Sequence, residues 1–170
     1  KLAEKLKIIP LGGLDEIGKN ITVLEYGKDM IVIDCGVGFP DEDMYGVDLV
    51  IPDFTYLVQN AKKLRGMFIT HGHEDHIGSI PYAMRDVNCP IHGTAMTNGL
   101  IKLKLEEHKL ADKVKLITHK AGDVVKACME KGVLCLTAKN KVRLLPALNI
   151  PMDDLEYAIE TIKAVAAELA

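Results

Sequence analysis

A chain of 170 residues, 48% of them apolar, is long enough for one domain with a real core. Its net charge of −3 gives no sign of the basic surface that nonspecific nucleic-acid binders carry. No apolar run approaches membrane-spanning length, so no membrane is expected as a partner.

The first residues, Lys1 to Leu6, are charged and lack an apolar signal core, which predicts a cytoplasmic protein. Lys7 to Leu11 reads as a strand ending in the Gly12-Gly13 turn. Asn20 to Tyr26 and Met30 to Asp34, joined by Gly27-Lys28-Asp29, read as a hairpin. Its second strand is apolar throughout, which predicts burial on both faces. The loop from Gly36 to Asp53 carries Asp41, Glu42, Asp43, Asp48 and Asp53 and reads as solvated. Phe54 to Leu64 reads as a helix with Tyr56, Leu57, Ala61 and Leu64 on one side, ended by Gly66. Met67 to Thr70 is a short strand. Ser79 is the expected N-cap of a helix that runs to about Met84, with Pro81 tolerated in its first turn. Pro90 to Gly93 reads as strand and turn, Thr94 to Lys109 as a helix that Asn98 and Gly99 weaken near its start, and Val114 to Thr118 as a strand.

Between the Met67 to Thr70 strand and the Ser79 cap lies His71-Gly72-His73-Glu74-Asp75-His76. In extended chain, side chains at i and i+2 point the same way, so His71 and His73 can grip one ion. As the chain turns, Asp75 and His76 become available to a second. Imidazole suits zinc, and a carboxylate also admits manganese or iron. Asp34 has two open roles: an acceptor for the second ring nitrogen of a ligating histidine, or a turn-stabilising aspartate. His92, His108 and His119 read as surface or hydrogen-bonded residues, His119 being the best placed of the three because it ends a strand.

The His-x-His-x-Asp-His pattern resembles the metallo-β-lactamase superfamily. The stretches Pro10 to Asn20, Ile33 to Gly36, Phe39 to Met44 and Gly46 to Asp53 resemble the amino-terminal part of the ribonuclease J family, a likeness running from about Lys7 to about Val124. It implies a two-ion site completed by a histidine, a bridging aspartate and a last histidine further along a chain. After Val124 the likeness stops. Val125 to Leu136, Val142 to Ile150 and Asp153 onward resemble the carboxy-terminal end of acetylornithine-type aminotransferases. That resemblance implies a helix over Asp123 to Lys131, strands over Val133 to Thr137 and Lys141 to Leu145, and a final helix. Gly132 as a C-cap, Ala138-Lys139-Asn140 as a hairpin turn and Asp153 as an N-cap agree with it. Leu155, Ile159, Ile162 and Val165 are the expected buried side of the last helix. In such enzymes the arginine at Arg143 binds the substrate carboxylate; their cofactor lysine has no counterpart here, so no pyridoxal phosphate is expected.

The fold expected is α/β (α+β): a layered sandwich with a mixed sheet, half of a metallo-β-lactamase-like fold completed by a helix–strand–strand–helix fragment. One domain over residues 1–170 is expected, built from fragments 1–124 and 125–170 that share a core. The functional expectation is an artificial chimera without native catalytic activity. It retains a partial site of His71, His73, Asp75 and His76 that binds at most one zinc or manganese ion weakly. The alternatives are a metal-dependent phosphodiesterase or ribonuclease, with RNA as partner, and a small carboxylate-binding module using Arg143. An unsatisfied sheet edge makes a homo-oligomer conceivable.

Overall fold

The computed structural model of the protein describes residues 5–138, 141–144, 146–147 and 149–169. They form two compact units, Lys1–Ile117 and Thr118–Ala170.

In the first unit, strands β1 (Lys7–Gly12), β2 (Ile21–Tyr26) and β3 (Asp29–Ile33) precede helix α1 (Thr55–Gln59) and strand β4 (Leu64–Phe68). Helices α2 (Glu74–Ile77) and α3 (Ile80–Asp86) follow, then β5 (Ile91–Gly93), α4 (Ala95–Glu107) and β6 (Leu116–Thr118). The six strands lie in one sheet in sequence order. β1, β2 and β3 pair antiparallel, whereas β3, β4 and β5 pair parallel. The expected α/β fold with a mixed sheet is therefore present.

The hairpin register sets Val23 opposite Val32 and Glu25 opposite Met30, so these four share one sheet face and all four are buried. Leu57 of α1, Ile80 and Ala83 of α3, and Ile101 and Leu105 of α4 join Val23, Met30 and Val32 in the same core. β3 is not buried on both faces as its composition predicts. Met30 and Val32 are buried, but Ile31 and Ile33 are only half-buried, because the opposite sheet face is partly open. Glu25 is compensated where it enters the core. Its carboxylate accepts from Tyr56 Oη at 2.7 Å, Lys7 Nζ at 2.9 Å and Lys63 Nζ at 3.1 Å. These bonds, that from Tyr56 first, hold the carboxyl down at about 2.

Two boundaries differ from expectation between Phe54 and Thr70. The helix stops at Gln59, where Asn60 turns both its backbone N–H and its side-chain amide onto the Tyr56 carbonyl. A 3-10 turn over Ala61–Lys63 leads straight into β4 at Leu64. Gly66 is thus a strand residue and not a helix stop. A Cβ there would lie 3.1 Å from the His92 ring, so the bare backbone lets β5 approach. His92 in turn stacks on Phe68, ring centroids 4.4 Å apart.

Asn98, expected to weaken α4, has a structural task. It is buried, and its amide donates to the Ile117 carbonyl at 2.9 Å, tying α4 to β6. Thr94 caps α4 by accepting from the Thr97 N–H.

The second unit contains α5 (Ala121–Glu130), β7 (Leu136–Ala138), β8 (Lys141–Arg143) and α6 (Met152–Glu168), the expected helix–strand–strand–helix order. β7 and β8 pair only with each other, Thr137 opposite Val142, in a sheet of their own. Lys139 and Asn140 of the expected turn, Leu145 at the expected end of the second strand, and Lys1 to Glu4 lie outside the described residues. α6 starts at Met152 with Pro151 in the capping position. Asp153 lies in the first turn instead of capping it, where its charge still complements the helix dipole. The core here is small: Val124, Cys128, Val133, Cys135 and Val165. Ile159, expected against the core, is 41% exposed, because Thr161 and Val165 mark the buried face.

All four cysteines are buried and free. Among the described residues, no helix is long and apolar enough to cross a membrane.

Candidate metal centre

The chain around Gly36 is the floor on which the histidine cluster rests. Asp34 N–H donates to the Phe68 carbonyl, continuing the parallel register of β3 and β4 by one residue. Cys35 N–H then donates to the His76 carbonyl at 2.8 Å, and Val37 N–H to the Glu74 carbonyl at 3.2 Å. Ser79, the expected cap of α3, instead turns its hydroxyl onto the Gly36 carbonyl at 2.7 Å. The approach is so close that a Cβ on Gly36 would stand 1.6 Å from the Asp75 carbonyl oxygen. Only glycine fits there.

Asp34 both secures a turn and accepts from a histidine ring, which leaves its role toward a metal ligand an open expectation. Its backbone is left-handed, φ 60°, a conformation that aspartate tolerates better than most residues. From there Oδ1 accepts from Thr70 N–H at 2.8 Å, and Oδ2 lies 2.8 Å from Thr70 Oγ1 and 2.8 Å from His76 Nδ1. The first bond secures the turn after β4. The last places the proton of a neutral His76 on Nδ1, so that Nε2 is left with its lone pair.

His71 is fixed in the same sense, its Nδ1 lying 3.0 Å from Thr70 Oγ1. Its Nε2 lies 3.0 Å from His73 Nδ1. The His71 and His76 rings are 4.1 Å apart, and Asp75 Oδ2 stands 3.4 Å from His76 Nε2. The contacts thus run in sequence from His73 to His71, from His71 to His76 and from His76 to Asp75. Burial and the neighbouring His76 and His73 push the His71 pKa down, which favours the neutral ring that a metal ligand must have.

A zinc with nitrogen ligands at about 2.0–2.1 Å sets two tetrahedral nitrogens about 3.3–3.4 Å apart. The His71 and His73 nitrogens are slightly closer than that, and hydrogen-bonded to each other. Among the described residues, no group of three or more His, Cys, Asp or Glu side chains stands in the arrangement of an assembled metal site. The donor chemistry of two imidazoles beside a carboxylate fits an ion.

Sequence reasoning missed Asn20. Its amide donates to the Asp75 carbonyl at 3.0 Å and to Asp75 Oδ2 at 3.2 Å, fixing that carboxylate. The pairing spans 55 positions, and the local signal was only the Gly18-Lys19-Asn20 turn, whose Gly18 and Lys19 both have positive φ. His108 lies outside the site, 3.0 Å from an Arg85 nitrogen and edge-on to Tyr82. Arg143 is exposed on β8.

Residues 14–125 match the Metallo-beta-lactamase superfamily. Ribonuclease J of Synechocystis is 45% identical over 124 residues, 72% of this chain and 19% of that protein. Ribonuclease J of Helicobacter pylori is 52% identical over 105 residues, 62% of this chain and 15% of that protein. Ribonuclease J 2 of Staphylococcus saprophyticus is 42% identical over 126 residues, 74% and 23%. Among solved structures, the short form of human tRNase Z is similar with a TM-score of 0.44 at 18% identity, covering 83% of this chain and 56% of that one. The chain therefore spans about a fifth of the length of these curated relatives. These findings overturn the expectation of a chimera without native activity, because the relatives are ribonucleases and the match runs through the whole histidine cluster. They give no support to an aminotransferase origin for residues 125–170. With the family match extending over most of its length, the chain belongs to the metallo-β-lactamase superfamily.

Proposed function

We propose that this chain contributes metal-binding residues to a phosphodiesterase that acts on RNA. The observation that carries the reading is the run of neighbouring contacts through His73, His71, His76 and Asp75 over a floor that fixes two of the rings. His71 Nε2, His73 Nδ1, His76 Nε2 and an Asp75 oxygen are the donors. Zinc or manganese is the ion their chemistry fits, and it would supply Lewis-acid polarisation of a phosphoryl oxygen. Asp34 holds the His76 proton at Nδ1, Thr70 orients His71, and Asn20 keeps the Asp75 carboxylate turned toward His76. The names of the relatives supply the substrate class. The buried free thiols accord with a reducing compartment such as the cytoplasm.

The test is a calorimetric titration of zinc and of manganese into the chain and into a His71→Ala/His73→Ala variant, with turnover of single-stranded RNA followed beside it. Saturable binding that the variant loses is the expected result, with RNA cleavage dependent on the same ion. Equal binding by the variant removes these residues from the site. Binding without any cleavage shows that this chain's residues do not by themselves complete a catalytic site.

A further inference from the structure

The second unit holds two cysteines that its fold brings into contact. Helix α5 ends in a left-handed cap. Gly132, at φ 80°, donates its N–H to the Met129 carbonyl at 3.0 Å, and Val133 N–H donates to the Cys128 carbonyl at 2.9 Å. That pair of hydrogen bonds folds the chain back over the last turn of the helix it has just left. Beyond the cap, burial alternates as in extended chain. Val133 and Cys135 are buried, whereas Leu134 between them is 82% exposed. On the helix, Cys128 follows Val124 by four positions, so the two share a face, and both lie in the same core. Cys128 and Cys135 thus meet across the Gly132 turn, and their thiols share a hydrogen bond.

Both thiols belong to a core that has five buried side chains among the described residues, the others being Val124, Val133 and Val165. A single buried thiol packs as a small apolar group. Two in contact form a dithiol that can close on itself. Cys128 is completely buried, and burial, then the neighbouring Cys135 thiol, push its pKa up, so that it stays protonated and inert by itself. Cys135 is reached from outside. It lines an apolar cavity of about 140 Å³ that opens to solvent beside Leu134, Leu155 and Ile162. A reagent entering there meets Cys135 before Cys128.

We propose that Cys128 and Cys135 are a redox-modification site, at which a small-molecule disulfide entering the apolar cavity oxidises them to an intramolecular disulfide that staples α5 to the residue preceding β7. The Cys135 thiol gives up its proton, and its sulfur attacks one sulfur of the external disulfide. That S–S bond breaks, one thiol leaves, and a mixed disulfide remains on Cys135. The Cys128 sulfur, giving up its proton in turn, attacks the Cys135 sulfur, and the second thiol leaves as the new bond forms. Two protein thiols are oxidised. One external disulfide is reduced to two thiols, which carry the two protons. The bond fastens a contact that the Gly132 turn already makes. The site lies in the second unit and does not depend on the reading of the histidine cluster.

The experiment treats the full native chain with excess oxidised glutathione and follows free thiols and intact mass. The expected result is loss of two of the four free thiols, a mass lower by two hydrogen atoms with no glutathione retained, and reversal by dithiothreitol. Trypsin then identifies the partners. Cleavage after Lys126, Lys131 and Lys139 puts the two cysteines on separate peptides, 127–131 and 132–139, which should emerge linked. Cys128→Ala should trap glutathione on Cys135, whereas Cys135→Ala should leave Cys128 unmodified. The wild-type result decides by itself if either variant fails to fold. Retention of all four thiols overturns the site. So do a lasting glutathione adduct on the wild type, oxidation that requires urea, and a link that involves Cys35, Cys89 or a second copy of the chain.

Discussion

The two units of the chain bury side chains on different scales. In the first, six strands and α1, α3 and α4 enclose a core that reaches from Ile21 to Val114, and the hairpin of β2 and β3 pairs in register over its whole length. In the second, two three-residue strands form a sheet of two, and the buried core among the described residues is five side chains. Isolated two-stranded ribbons are marginal in water. The family match covers most of the first unit and ends within α5 of the second. Backbone pairing over many residues is what the candidate centre needs beneath it, and among the described residues only the first unit supplies such a platform. Amide exchange should follow the same division, slow for β2 and β3 and fast for β7 and β8.

The comparison is most easily broken at Gly36. A Cβ 1.6 Å from the Asp75 carbonyl forces the floor and the histidine loop apart. Gly36→Ala is expected to cost about 4 kcal/mol or more, in the exceptional class of single substitutions, read by urea unfolding. A loss under about 1 kcal/mol would mean that the close approach is not made. Next come the two cores. Ile101→Ala, in the large core, should cost about 2–5 kcal/mol. Val165→Ala, in the small one, should cost about 2 kcal/mol from its lost methyl groups. A larger loss at Val165 than at Ile101 would contradict the difference in packing.

Acid sharpens the contrast, since Glu25 braces only the first unit. Its folded carboxyl, at about 2, lies below the unfolded value of about 4.3. A depressed carboxyl contributes stability that is complete above the unfolded value and is lost as pH falls through the folded one. The first unit should therefore weaken between about pH 4 and about pH 2, and Glu25→Gln should flatten that slope in a pH series of thermal melts. An unchanged slope would remove the carboxylate from the account. The smallest effect is expected at Ile159. Being 41% exposed, it should lose no more than about 0.5 kcal/mol on substitution by alanine. A loss of about 2 kcal/mol or more would show that its helix face is covered.

Elements with strong local signals were legible in the sequence. The hairpin from Ile21 to Ile33, the strand-to-helix setting of His71 to His76 and the helix beginning after Thr94 all follow from turn residues and apolar spacing. The errors share one cause: a local pattern that tertiary packing overrode. Leu64 continued the helical spacing of Leu57, yet belongs to a strand, and Gly66 looked like a stop because the His92 ring it accommodates is distant in sequence. Ile159 fits an apolar stripe through Leu155 and Ile162, but the buried face runs through Thr161 and Val165. At the site, Asp34 was visible with its role undecided, and Asn20 was not visible at all. Both act across long separations, 42 residues to His76 and 55 to Asp75.

Those separations also bear on when the cluster acquires its shape. Asp34 can reach Thr70 and His76 only after β3 and β4 have aligned side by side, since its own N–H extends their ladder at Phe68. Closing such long loops costs entropy before any contact repays it. The histidine segment is therefore expected to become a defined constellation only as the parallel pairing completes. Ring order at His76 is then a late checkpoint of assembly, and the position of its imidazole reports whether the sheet beneath it is whole.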